Sequence, residues 1–341
     1  MKRFPLLLLV FFFLSSHDMY LKLDTYYLEP NTSASIKLFN GTFEKSDNII
    51  ARDRMVDVSL VGNGKRNSLD TTQWTEDSGA TILNFKTGTE GTWVAGVSTR
   101  PRNIEMTAED FNNYLQHDGV IDMLELRKKN NTLGEDAIEK YSKHVKTIFQ
   151  VGDQLTNDWQ TEMGYPIEFM PMSNPYDIHP GHELQVQLLW QGKPLTDQLV
   201  YIGSQEAEHH HDHDEEHVHQ DGTTHSHDHE HGNEETEDHH HSLAQFRTDG
   251  EGKIAFEITH QGVWYLRTIY LTTTEEEGLT HESNWATLTF EAGEGHSHEH
   301  HEEHAHVHEE SHGLGIPSYA YWIGSLALIA VLFIWFNRKK G

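Results

Sequence analysis

The sequence predicts a mainly β fold. Two β-sandwich-like modules are expected, the second immunoglobulin- or transthyretin-like, with a helical insert and one C-terminal transmembrane helix. Three observations lead there. Short alternating or β-branched runs recur between Gly, Pro and Asn turns. One stretch carries a helix-capping pattern followed by apolar residues at helical spacing. A long uncharged run near the C-terminus ends in basic residues.

Taken in order, Met1-Lys2-Arg3 and the apolar run Pro5–Leu14 form the n- and h-regions of a signal peptide, residues 1–16, with Ser15-Ser16 as a small-residue cleavage site. A first β module spans 17–165. Its strands are expected at Ser35–Phe39, Met55–Val61, Thr81–Lys86 and Trp93–Ser98. Thr107-Ala108-Glu109-Asp110 has capping-box spacing, and Phe111, Tyr114 and Leu115 follow on one helical face. Glu135–Phe149 places Ile138, Tyr141, Val145 and Ile148 on one face and predicts a second helix. A C-terminal β-sandwich over 166–292 has strands at Ile167–Met170, Glu183–Trp190, Gln198–Ile202, Ile254–Ile258, Val263–Tyr270 and Trp285–Phe290. It is interrupted by a His- and acid-rich loop, 206–241. A His-rich linker, 293–316, leads to Pro317–Phe336, whose 20 residues reach roughly the 30 Å of a bilayer's hydrocarbon. Residues 337–341, with Arg338-Lys339-Lys340, form a cytoplasmic tail by the positive-inside rule. The body is thus expected in the cell envelope, in the periplasm or outside the cell.

The chain of 341 residues has a net charge of −29 and no cysteine. That balance excludes nucleic acid as the main partner. Lack of Cys excludes disulfides, iron–sulfur clusters, thiolate zinc sites and catalytic thiols. The charge is concentrated: residues 206–241 hold 13 acids and 294–312 hold 6, with no Lys or Arg in either. Those segments also hold 21 of the 28 histidines.

Seven motifs follow one another: His17-Asp18-Met19-Tyr20-Leu21, Gly96–Arg102, Phe111–Leu115, Gln150-Val151-Gly152, Met172–Tyr176, Thr248–Gly252 and Glu282–Phe290. In that order they resemble a largely uncharacterised extracytoplasmic family labelled periplasmic component of nickel/cobalt uptake (ABC-type) systems. The resemblance covers roughly residues 17–292 and implies a transport-associated role with a metal permease as partner. None of its motifs is a catalytic signature.

The tracts are argued on their own chemistry. The first carries His209, His210, His211, His213, His217, His219, His225, His227, His229, His231, His239, His240 and His241. The second carries His296, His298, His300, His301, His304, His306, His308 and His312. Neutral imidazole suits Ni, Co, Zn and Cu(II), and interleaved carboxylates add oxygen ligands and countercharge. Few apolar residues are present to pack a core, so disorder without metal is expected. His17 would be the mature N-terminus after cleavage at Ser16, where the α-amino group and imidazole form a bidentate chelate. His281, beside the last strand, is a further candidate ligand. His179 and His182 belong to a polar turn. No H-E-x-x-H, G-x-S-x-G or phosphate-binding glycine loop occurs, so no enzyme activity is expected. The leading expectation is a membrane-anchored metal-binding accessory protein that captures a divalent transition metal (Ni, Co or Zn, with Cu(II) possible). Its rivals are a protein- or glycan-binding module with the tracts as spacers, and a copper enzyme centred on His17.

Overall fold

The computed structural model describes residues 18–77, 79–206 and 243–293. The first strand series is β1 (Asp18–Lys22), β2 (Tyr27–Leu28), β3 (Ser33–Gly41), β4 (Met55–Gly62), β5 (Lys65–Ser68), β6 (Trp74–Asp77), β7 (Ala80–Lys86), β8 (Gly91–Thr99) and β9 (Arg102–Met106). Helices α1 (Ala108–His117) and α2 (Ile121–Asn130) follow, then the long strand β10 (Ala137–Val151). The second series is β11 (Ile167–Pro171), β12 (His182–Trp190), β13 (Lys193–Pro194), β14 (Leu199–Glu206), β15 (Ala244–Arg247), β16 (Lys253–Ile258), β17 (Gly262–Thr273) and β18 (His281–Ala292). The described chain is mainly β, and every strand run expected from the sequence overlaps one of these strands.

The second expected helix, Glu135–Phe149, is a strand. Ser142 to Val151 are buried without a break, because β10 is covered on both faces. Its apolar residues therefore follow no two-residue alternation, and a helical spacing arises among them by accident. Lys140, Tyr141 and Lys143 keep polar ends in reach of partners, and Val145, Thr147 and Ile148 supply the β-branched character that a pleated strand accommodates. The helical insert contains α2 instead, separated from α1 by three residues.

Among the described residues the strands form three sheets. One is β1–β3–β7–β6; the largest runs β15–β14–β17–β18–β10–β8–β4–β5, with β2 and β9 also on β10; the third joins β11, β12 and β13, with β16 on β12. The boundary near residue 165 falls between β10 and β11, yet the largest sheet crosses it through the parallel β10–β18 pair, Glu139↔His281 to Thr147↔Thr289. One apolar cluster unites all three sheets, including Leu21, Ile36 and Leu83 from the first, Val94, Phe149 and Leu288 from the second, and Phe169, Val186 and Phe256 from the third. The third sheet alternates buried and exposed residues along β12 and β16, as a sheet with one face in water must.

The helices rest on the same large sheet, packing Phe111, Leu115 and Met123 against Ile269, Leu271 and Trp285. Thr107 caps α1 as its sequence predicts, its Oγ1 accepting from Asp110 N at 3.2 Å. Gly119 turns the chain into α2 at φ +74°, where a Cβ would sit 2.2 Å from the Tyr201 hydroxyl. That hydroxyl donates to Gly119 O at 2.7 Å, so the helical pair is pinned to β14 at a point only glycine can occupy. No helix among the described residues is long and apolar enough to cross a membrane. The expected span Pro317–Phe336, the leader 1–16, His17 and nearly all of both histidine tracts lie outside the described residues.

Candidate functional site

The ends of β14 and β18 carry the chain into the two tracts. Residues 207–242 connect β14 to β15, which pair antiparallel from Leu199↔Arg247 to Ile202↔Ala244, so this segment is an insertion into one hairpin. At the same level Glu206 pairs with Gly262 and Gly262 with Ala292. Glu206 and Ala292 therefore stand two strands apart at one end of one sheet, about 10 Å laterally. The chain enters residues 207–242 from the first and residues 294–316 from the second. This juxtaposition joins positions 86 residues apart in sequence, and no local pattern announces it.

A cleft of about 440 Å³ opens at that end, with Asp24, Glu44, Glu206 and Glu291 as its carboxylates and Lys22 and Lys37 as its cations. Both lysines are engaged: Lys37 pairs with Asp24, while Lys22 Nζ donates to Phe43 O at 2.6 Å and sits 3.9 Å over the Phe43 ring. Burial pulls the Lys22 ammonium below its usual range, with Glu44 opposing that pull. The negative potential is felt by neighbouring phenols. Burial raises Tyr27 and Tyr265, and the charges of Glu291 and Glu44 respectively raise them further.

His281 is the one candidate ligand among the described residues. It is the first residue of β18, buried, and its ring lies 4.6 Å from that of Phe111. Its Nδ1 shares a hydrogen bond with Thr280 Oγ1 at 2.7 Å. Burial, with the Arg127 charge nearby, lowers its pKa to about 4, so the ring is neutral at pH 7. It stands at the end of β18 opposite Ala292. No group of three or more His, Asp or Glu among the described residues is placed to hold a metal ion. His179 and His182 form the expected polar turn, His182 Nδ1 lying 3.1 Å from His179 O. Asp18, the neighbour of His17, is held by Arg267 Nη1 at 3.3 Å and by the Tyr20 hydroxyl at 3.0 Å.

Along β10 runs a line of buried polar groups that sequence reasoning did not single out. His144 Nδ1 meets Ser98 Oγ at 2.9 Å and its Nε2 meets Asn284 Oδ1 at 3.2 Å; burial lowers its pKa to about 4. Glu139 accepts from Ser283 and from the Tyr114 hydroxyl at 3.3 Å, and burial pushes its carboxyl up to about 7. Lys143 lies 4.7 Å over the Trp285 ring and its pKa falls to about 8, again through burial. Lys146 Nζ meets Glu168 Oε2 and Phe169 O, both at 3.0 Å, with both side chains almost fully buried. These groups are mutually satisfied, which is what buried polar groups require. They form joints, with no open coordination position among them.

The motifs that carry the sequence resemblance have the same character. Gln150 accepts from Thr92 Oγ1 at 2.8 Å and donates to Gly152 O at 2.8 Å; Asn174 donates to the same Thr92 oxygen at 2.9 Å. Asp249 accepts from Glu251 N and Lys253 N in its turn. Residues 14–272 match the family model described as Domain of unknown function (DUF4198). The chain belongs to the DUF4198 family. No curated protein matches this DUF4198 chain. Among solved structures it is similar to the D0-D1 domain of intimin, at 11% identity over 80% of this chain and 97% of that one, TM-score 0.18. Trypsin-activated alpha-2-macroglobulin from Escherichia coli matches at 9% identity, covering 81% of this chain and 15% of that one, TM-score 0.19. A putative membrane anchored protein from Corynebacterium diphtheriae matches at 10% identity over 82% and 59%, TM-score 0.19. TM-scores this low carry no inference about this DUF4198 protein.

Proposed function

We propose that this DUF4198 protein is a membrane-anchored, extracytoplasmic accessory to metal uptake that captures divalent ions on its histidine tracts and passes them to a permease. Nickel, cobalt and zinc are the ions its imidazole and carboxylate groups suit best. The observation that carries this reading is the register Glu206↔Gly262↔Ala292, which launches both tracts from one end of one sheet. Segments tethered about 10 Å apart have a high effective concentration for each other, so one ion can be shared between them. The carboxylates of the cleft between their roots add attraction for cations. In this reading the second module is an immunoglobulin-like sandwich serving as a rigid support, His17 supplies a separate terminal chelate, and Pro317–Phe336 keeps the support at the bilayer. Its role is binding and transfer, without catalysis.

Calorimetric titration of the full-length chain with Ni or Zn at pH 7.5 tests this. Several ions should bind. Replacing residues 207–242 by a short turn and the 21 tract histidines' remainder in 294–312 by serines should remove all of them except one tight site at the N-terminus. Binding should release protons and weaken steeply below about pH 6, where imidazoles with an ordinary pKa near 6.5 become charged. Unchanged stoichiometry without the tract histidines would overturn the reading.

A further inference from the structure

The opposite end of the large sheet has the opposite chemistry. At the level of Met55↔Thr99 and Arg102↔Tyr141, three arginines from two chain segments line one depression. A cavity of about 530 Å³ there is lined by Ala51, Asp53, Arg54, Arg100, Pro101 and Arg102. The lining carries three cations against one carboxylate, in a chain whose charge elsewhere is strongly negative.

The cavity is built around Arg54. Its Nη1 donates to the Tyr141 hydroxyl at 3.0 Å and its Nη2 to Arg100 O at 3.1 Å. The group packs over the Tyr141 ring at 4.9 Å, and Arg100 N returns a bond to Arg54 O at 2.6 Å. The Arg54 Nε is buried and has no hydrogen-bond partner. The charge is thus fixed in place and left without a carboxylate. Among the described residues, Arg100 and Arg102 likewise form no ion pair, whereas Arg52, two residues before Arg54, is committed to Trp74 O at 2.9 Å and to Glu76 at 3.8 Å. Pro101 restricts the backbone between the two exposed arginines. A β-bulge between Met55 and Asp57 breaks the strand register here, and Val56 is 63% exposed beside it. Bulges at strand ends commonly re-aim side chains next to sites.

Tyr141 pairs with Ser283 of β18, nine residues before Ala292, which puts this end roughly 30 Å from the roots of the tracts. The Debye length at physiological ionic strength is about 8 Å, so the tracts' negative charge is screened here and an approaching ligand meets the local positive lining. We infer that the Arg54–Arg100–Arg102 cavity is a binding site for a small oxyanion of at least two negative charges, a phosphate or a polycarboxylate. Arg100 and Arg102 each offer the planar fork that grips such an oxygen pair, and Arg54 supplies a preorganised charge behind them.

The probes are inorganic phosphate and citrate, titrated calorimetrically into the full-length chain in neutral detergent at low salt. One probe or both should bind at one site, and which one does separates the phosphate from the carboxylate. Arg100→Gln or Arg102→Gln should weaken that binding roughly tenfold, as loss of one charge-assisted contact does, and the double variant should abolish it. Lys193→Gln on β13 removes the same charge elsewhere and should change nothing. Urea midpoints should match the parent for all these variants, since neither arginine side chain has a partner to lose. No saturable binding of either probe, or equal binding in the Arg100→Gln/Arg102→Gln double variant, would overturn the assignment.

Discussion

One end of the large sheet gathers carboxylates and the roots of the histidine tracts; the other gathers arginines. At the tract end, Asp24, Glu44, Glu206 and Glu291 outnumber the two lysines among them, of which Lys37 pairs with Asp24 itself and Lys22 is turned to the Phe43 carbonyl. At the arginine end, Arg54 is locked by Tyr141 and the Arg100 carbonyl, while Arg100 and Arg102 form no ion pair among the described residues. The same β10–β18 pair spans both. The difference shows that net charge describes neither end: one sheet keeps two opposite fields several Debye lengths apart.

The most direct way to break this arrangement is to move a tract. Transplanting residues 207–242 into the turn between Thr273 and His281 would put its roots at the far end of β18, more than roughly 30 Å from Ala292. The total number of Ni ions bound should stay the same. The tightest class should weaken by tenfold or more, because shared ligation loses its effective concentration. An unchanged binding isotherm would show that the tracts act independently and that their adjacency has no role.

The next largest effect concerns the scaffold that separates the ends. Lys146→Ala leaves the Glu168 carboxylate buried without its ion partner and should destabilise the protein by about 3–5 kcal/mol. Lys146→Met with Glu168→Gln removes both charges, keeps an amide oxygen for the Met163 and Gly164 N–H groups that the carboxylate now serves, and should recover part of that loss. Urea unfolding of both variants checks the pair, and equal destabilisation by the double variant would contradict the role of charge in that position.

A pH test sharpens the middle of the sheet. Glu139 has its pKa raised from an ordinary 4.5 to about 7 by burial. The folded chain therefore holds a proton that the unfolded chain has released, and this group's contribution to stability declines as pH rises from about 4.5 to about 7. The full decline amounts to about 3 kcal/mol. Glu139→Gln keeps an acceptor for Ser283 and Tyr114 and removes the titration. Relative to the parent, the variant should gain about that much stability between pH 4 and pH 8. Parallel stability profiles in urea would refute the assignment.

The smallest effect is expected at the edge strand to which the first tract returns. Arg247 on β15 meets both Asp122 oxygens at 2.9 Å, but both partners are well exposed. Arg247→Gln should cost less than about 1 kcal/mol and leave Ni binding unchanged, as thermal unfolding and calorimetry would report. A larger loss would mean that the tract's root depends on its tie to α2.

Strand positions were legible because β3, β12 and β16 alternate, or because β8 and β17 are β-branched runs bounded by turns. The β10 segment was not, since a strand buried on both faces lacks the period that distinguishes it from a helix. Helix α2 was equally obscure: it buries Met123, Leu124 and Arg127 through tertiary contacts and has no capping side chain at its start. The two histidine tracts stood out by composition alone. Neither charged end could be read the same way. Glu206 and Ala292, or Arg54 and Arg100, are neighbours only because strands pair across long separations.

The sequence by itself determined the clustering of histidines and acids in two segments, the mainly β class and the capped helix α1, since these rest on residue type, short-range period and local hydrogen bonding. Only the tertiary structure decided that the two strand series share one sheet, that both tracts start at one end of it, and that three arginines meet at the other. Pairing register is a global property, set by which apolar faces can be buried together, and no window of sequence contains it.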